Sequence, residues 1–259
     1  MSAASADVPH PWLDGEDPTT GIVSVHADAR GDALVWRRVD GRVTWSRERF
    51  RPFVFARHLD DLAHVEARVG AGEHAEFGVT TLTGDEGSLR FLVHARSGVA
   101  LRRELLAGAS RRLGRPVGSL HDLRDYHVLG PVEQYLSATG RTYFKGMTYA
   151  DLARLQFDLE TTSLDPEKGR IFMASLRDNA GHEVVLEAPR EEDERRLLLD
   201  LMAAVRARDP DVLEGHNVSA FDLPFLLRRA EVCGVRLDLS RRPGPPGVWR
   251  AQDGRRRPH

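Results

Sequence analysis

Residues 155–160 read Leu-Gln-Phe-Asp-Leu-Glu, a strict alternation of apolar and polar side chains. That is the period of a β-strand, whose successive side chains point to opposite faces. It does not suit a helix, where one face recurs every three to four residues. Leu155, Phe157 and Leu159 therefore bury on one side of a sheet, while Gln156, Asp158 and Glu160 face the other. Two carboxylates on one face of a central strand repel each other unless a cation lies between them. Hard oxygen donors of this kind suit Mg2+ or Mn2+, which take one or two carboxylates with water and substrate phosphate. Taken alone, Asp-x-Glu is also explained as the wet edge of a strand, or as salt-bridge partners for a helix.

The surroundings give this strand a layered context. Two more strands are expected within residues 171–186, with a turn at Gly181. Residues 191–209 predict a helix with an acidic first turn, a basic last turn and an apolar stripe of Leu197, Leu198, Leu201, Met202 and Val205. Pro210 stops it, residues 212–217 form a short strand, and 221–234 form another helix closed by Gly234. This order predicts a mixed α/β layer. The first half reads differently. Strands at 21–28, 33–39, 42–46 and 52–57, separated by Gly/Asp turns, predict an antiparallel meander or barrel. A helix at 60–69, strands at 76–82 and 88–94, and an amphipathic helix at 99–113 follow. Residues 115–150 connect the halves and hold a short helix at 132–139.

The expected division is a polar lead-in over 1–20, a β-rich domain with its connector over 21–150, an α/β domain over 151–240, and a disordered Arg/Pro/Gly tail over 241–259. A chain of 259 residues, 41% hydrophobic and 29% charged, has material for two cores of this size. No apolar run is long enough to span a bilayer, so no membrane partner is expected. The single Cys233 excludes an internal disulfide framework and any cysteine zinc site, and a cytoplasmic setting follows as the default. Net charge is −2, yet the last 19 residues carry six Arg and one Asp. The remainder is therefore acidic, and charge alone does not indicate nucleic acid.

A second element, Gly-His-Asn-Val-Ser-Ala-Phe-Asp-Leu-Pro-Phe-Leu at 215–226, places Asn217 at a strand end and Asp222 in the first turn of a helix. Ser219 with Asp222 also has the spacing of a capping box, which accounts for Asp222 without any chemistry. Pro224 is tolerated in the same first turn. The cap explains neither Asn217 nor the pairing with the upstream Asp-x-Glu.

Together, F-D-L-E-T-T at 157–162 and G-H-N-V-S-A-F-D-L-P-F-L at 215–226 resemble the proofreading 3′–5′ exonuclease domain of family B DNA polymerases, whose first two motifs are D-x-E and N-x-x-x-F-D. Residues 132–149 are similar to the segment that joins the N-terminal domain to the exonuclease in that family, and the early strands fit its partly OB-like N-terminal domain. The resemblance spans roughly residues 20–240. It implies an RNase H-like α/β fold and phosphodiester hydrolysis assisted by two Mg2+ or Mn2+ ions. Residue by residue, it implies Asp158, Glu160 and Asp222 as catalytic metal ligands, with Asp158 bridging. It implies Leu159, Thr161, Asn217 and Phe221 as substrate contacts. The implied partners are a single-stranded or frayed 3′ end of DNA and the remainder of a polymerase chain.

The sequence departs from the family at the third motif, Y-x-x-x-D, since no tyrosine follows Tyr149. Trp249 and Asp253 have the nearest spacing, and His216 and His259 are poor replacements. Polymerase palm, fingers and thumb are not encoded either, so a truncated form or N-terminal fragment is expected. Two other functions stay open: a non-catalytic fragment that binds single strands, and a stand-alone 3′–5′ exoribonuclease.

Overall fold

Short turns with positive φ shape the first strands of the computed structural model, which describes residues 17–70 and 75–241. Strands β1 (Ile22–Ala27), β2 (Asp32–Val39) and β3 (Arg42–Arg49) form an antiparallel sheet in that order. Asp40 (φ 50°) and Gly41 (φ 75°) make the two-residue β2–β3 link, and Asp-Gly is the pair that tolerates such a hairpin turn. The Asp28 carboxylate accepts the backbone N–H groups of Arg30 (2.8 Å) and Asp32 (3.2 Å) and so shapes the β1–β2 turn.

Two compact units result, Met1–Gly146 and Met147–His259. The strands of the first unit divide over two sheets. β4 (Phe53–Ala56) leaves the opening meander to pair with β6 (Phe91–Ala95) and β7 (Tyr126–His127), while β5 (Phe77–Thr81) flanks β6. The expected run from 21 to 57 in one meander is thus corrected. Pro52, which cannot donate to a ladder, marks the exit from the first sheet. Helix α1 (Gly98–Leu113), capped by Ser97, buries Leu101, Leu105 and Ala109 in the second sheet's core. Helix α2 (Pro131–Thr139) presses Tyr135 onto Ile22, Val25 and Val35 of the first.

The helix expected at 60–69 is instead a kinked 3₁₀ segment, Asp60–Arg68, broken at Val65. Its second residue is clamped, because the buried Asp61 carboxylate accepts Arg112 (2.8 and 3.0 Å) and the Tyr126 hydroxyl (2.5 Å). Gly108 of α1 lets the two backbones meet, since a Cβ there would lie 1.8 Å from the Asp61 carbonyl oxygen.

The second unit is the expected α/β layer. β8 (Arg154–Thr161), β9 (Ile171–Asp178), β10 (Glu183–Glu187) and β11 (Val212–Glu214) form a mixed sheet, order β10-β9-β8-β11, with β11 parallel to β8. Helices α3 (Glu194–Arg208) and α4 (Leu223–Val232) join one face of it in a single core. The α3 stripe is buried as its spacing predicts. Burying two apolar side chains fully, such as Leu197 and Leu198, contributes about 1.5–3 kcal/mol each. No helix among the described residues is long and apolar enough to cross a membrane.

Candidate active site

Strand β8 realises the alternation read from its sequence. Leu155, Phe157 and Leu159 are buried among α3 and α4, whereas Gln156, Asp158 and Glu160 are exposed on the opposite face. Ser175 and Arg177 of β9 lie opposite Asp158 and Gln156 in the ladder. An open cleft of about 470 Å³ covers this face, with Asp158, Ser175, Val185 and His216 in its lining. Ser175 and Arg177 were not singled out from the sequence, although the alternation of β9 gives the signal that they face the same way as Asp158.

The second motif approaches from the other edge. After β11 the chain passes β8 so closely that a Cβ on Gly215 would lie 2.6 Å from the Phe157 carbonyl oxygen and 2.4 Å from Val218. A glycine is required there, and it brings His216 into the lining of the Asp158 cleft. Residues Val218–Asp222 then form a π-helical turn, with the Asn217 carbonyl accepting Phe221 N–H at 2.8 Å, before α4 begins. Such π-turns are frequent at functional sites. The expected Ser219–Asp222 capping box does not form, because the π-turn replaces the ordinary helix start and neither Asn217 nor Asp222 caps through its side chain.

Asp222 is 3% exposed. Its carboxyl is pushed above the ordinary aspartate value, first by burial and next by the charge of Asp158. The backbone N–H groups of Asp222 and Leu159, and the nearby His216, pull the other way without cancelling this. The structure thus gathers Asp158 and Asp222 into one electrostatic pair, with Glu160 two residues farther along the exposed face. Among the described residues, no three of His, Cys, Asp and Glu stand close enough together to hold a metal ion. The donor set that is gathered, one exposed and one buried carboxylate in mutual repulsion, fits a single hard divalent cation completed by water and phosphate.

The remaining expected residues fall into two groups. Thr161 is half-buried at a bulge that ends β8, and Asn217 is exposed, one residue beyond His216 of the cleft lining. Phe221 is half-buried and packs on Phe225 with ring centroids 5.3 Å apart. The Leu159 side chain points into the core, so only its backbone faces Asp222. Trp249, Asp253 and His259 lie outside the described residues, as does nearly all of the expected tail.

A buried ion pair sets the scaffold. Glu194, 1% exposed, accepts Arg229 Nε at 2.9 Å and Nη2 at 2.5 Å, together with the Ile171 N–H at 2.8 Å. Arg229 also donates to the Pro166 carbonyl at 2.9 Å, and the Thr162 hydroxyl accepts the Arg170 N–H at 3.0 Å. The loop that follows Asp158 and Glu160 is therefore held against α3, α4 and β9.

Known proteins resemble this chain in sequence and in fold. Residues 138–257 match the family described as DNA polymerase family B, exonuclease domain. The chain is 35% identical over 99 residues to a DNA polymerase of Archaeoglobus fulgidus, covering 37% of this chain and 12% of that protein. It is 28% identical over 227 residues to DNA polymerase 1 of Pyrococcus abyssi, covering 79% of this chain and 28% of the relative. The family B DNA polymerase of the archaeon Pyrobaculum calidifontis shares the fold, with a TM-score of 0.59 at 21% identity over 84% of this chain and 32% of that one. The chain thus spans less than a third of the length of each of these relatives.

Proposed function

We propose, from the match of residues 138–257 to the exonuclease domain family of DNA polymerase family B, that the chain removes nucleotides from single-stranded or frayed 3′ ends of DNA. Exonuclease domains of this family generally use divalent metals. The observation that carries the reading is the pair formed by Asp158, exposed in the cleft, and the buried Asp222, whose carboxyl is pushed above its ordinary value by burial and by the Asp158 charge.

Asp158 and Asp222 would hold a Mg2+ or Mn2+ ion, and Glu160, on the same exposed face of β8 as Asp158, would be the further carboxylate available to a second ion. The metal supplies an activated water and counter-charge for the scissile phosphate. Asp158 presents its charge to the cleft and sets the field there. Asp222, drawn out of water beside that charge, has its carboxyl held above the ordinary aspartate value, a penalty that a bound cation would relieve. Asn217, exposed next to His216, would donate and accept hydrogen bonds to the terminal nucleotide. Phe221, anchored on Phe225, offers an apolar surface to a base or sugar that has left the stack. Thr161 contributes a hydroxyl at the bulge, and the remainder of a polymerase chain is the natural source of frayed ends for proofreading.

A second reading, a fragment that binds single strands without cutting them, is favoured by the two-carboxylate rather than three-carboxylate gathering. One experiment decides. The purified chain is incubated with 3′-labelled single-stranded DNA and RNA, with Mg2+ or Mn2+, beside Asp158→Ala. Metal-dependent trimming of DNA that Asp158→Ala abolishes is the expected result. Binding without trimming establishes the second reading, and trimming confined to RNA refutes the assignment to DNA.

A further inference from the structure

On the side of the first sheet away from α2 the edge strand β3 is exposed, whereas Trp36 of β2 is buried. Glu48 turns towards α2, where it accepts the Tyr135 hydroxyl and Arg141. By alternation Trp45, Arg47 and Arg49 of β3 point the opposite way, and their ladder partners Trp36, Leu34 and Asp32 share that face. Trp45 is 59% exposed, and the Arg47 and Arg49 side chains are 67% and 66% exposed. Both arginines reach one carboxylate, Asp32, at 3.2 and 3.8 Å. Exposed pairs of this kind contribute about 0–1 kcal/mol, so they exchange readily for another anion.

We propose that the outer face of β3 is a contact for single-stranded DNA, distinct from the carboxylate cleft, in which Trp45 stacks on a base and Arg47 and Arg49 meet successive phosphates. Side chains two residues apart on a strand are spaced by about 6.7 Å, the scale of neighbouring phosphates in an extended strand. One aromatic followed by two guanidiniums is the combination that single-strand binders use, stacking for the base and charge for the backbone. A protein partner would require a contiguous apolar patch, whereas Val39 at the end of β2 is the other strongly exposed large apolar side chain of this sheet. The choice of DNA over RNA rests on the proposed function, and the stacking surface itself does not.

The test measures binding apart from cutting. In EDTA, on the full chain carrying Asp158→Ala, fluorescence anisotropy follows labelled oligo(dT) of about 12 nucleotides, within the span one such site covers. Trp45→Ala weakens binding by about fivefold or more, the lower end of one base–aromatic stack, and Trp45→Phe restores most of it. Arg47→Gln with Arg49→Gln lowers the slope of log K against log salt by about 1.4, two single-strand phosphate contacts. Unchanged affinity and slope in these variants overturn the proposal, even if 3′ trimming is found. Loss of oligo(rU) binding without loss of oligo(dT) binding overturns it too, as does a Trp45→Ala effect on sedimentation alone. Absence of trimming with the binding effects intact refutes the proposed function and leaves this contact standing.

Discussion

Replacing Arg229 by Met tests whether one buried ion pair holds the site's scaffold together. Glu194 and Arg229 are 1% and 7% exposed, and the carboxylate has three further tasks: two guanidinium bonds and the Ile171 N–H. Met fills much of the same volume, but it leaves Glu194 buried without its cation. Breaking one side of such a pair costs about 3–5 kcal/mol. At about 1.4 kcal/mol per factor of ten, amide exchange at Ile171 should quicken by roughly two to three and a half orders of magnitude, up to the limit set by unfolding of the unit. Native-state hydrogen exchange reads this locally and separates it from the first unit.

The pH dependence supplies a second arm. In the wild-type chain burial alone would raise the Glu194 carboxyl, but Arg229 and the Ile171 N–H hold it below its ordinary value of 4.5. The pair therefore contributes stability above about pH 4.5, and that contribution fades as pH falls through the depressed folded value. In Arg229→Met burial prevails, the folded carboxyl rises, and stability is lost as pH rises through it. The deficit against wild type is then largest at neutral pH and narrows on acidification. Glu194→Leu with Arg229→Met, an apolar pair, should recover most of the loss. An exchange increase under fivefold, or a deficit that widens towards pH 5, would refute the reasoning.

Three further outcomes follow from the same geometry. Asp222→Asn removes a carboxyl whose folded value is raised above 3.8, a group that destabilises the metal-free fold as pH rises through that value; in EDTA the variant should melt higher than wild type at pH 8 and equally near pH 3, while metal-dependent trimming disappears. Gly215→Ala places a methyl 2.6 Å from the Phe157 carbonyl, and differential scanning calorimetry should show an overpacking loss of about 1–3 kcal/mol together with reduced trimming. Leu198→Ala, at a position with no exposure, should cost about 2–5 kcal/mol by urea unfolding while leaving the first unit's transition unchanged.

What could be read from the sequence follows the range of the forces involved. The β8 alternation and the α3 stripe are set by local periodicity, so both faces of each were legible from the residues alone. The strand partner of β4 was not, because Phe53–Ala56 looks the same whichever sheet receives it and only pairing with β6 and β7 decides. Glu194 carried a misleading local signal. In Glu-Glu-Asp-Glu it reads as one more acid favoured by the start of a helix, yet it is buried against an arginine 35 positions away. The π-turn at 218–222 was hidden for a related reason, since Ser219 and Asp222 satisfy the spacing of a capping box that the approach to β8 prevents. The motif residues could be named because their family pattern is short and contiguous, whereas Ser175 and Arg177 join them through strand register.

The strongest support for a functional carboxylate comes from comparing buried acids with one another. Four acidic residues are buried among the described residues: Asp61, Glu104, Glu194 and Asp222. Asp61 is held by Arg112 and Tyr126, Glu104 by Arg103 and His64, and Glu194 by Arg229. Each of those three carboxyls lies below its ordinary value, because the favourable partners outweigh burial. Asp222 alone is pushed up, and its largest charged neighbour is another carboxylate. A fold that neutralises three buried acids with its own side chains has not done so for the fourth. Such an arrangement costs stability in the metal-free protein and offers no packing advantage that asparagine would lack. It is retained where a cation from outside completes the site, which is why the opposite responses of stability and trimming to Asp222→Asn bear most directly on what Asp158 and Asp222 are for.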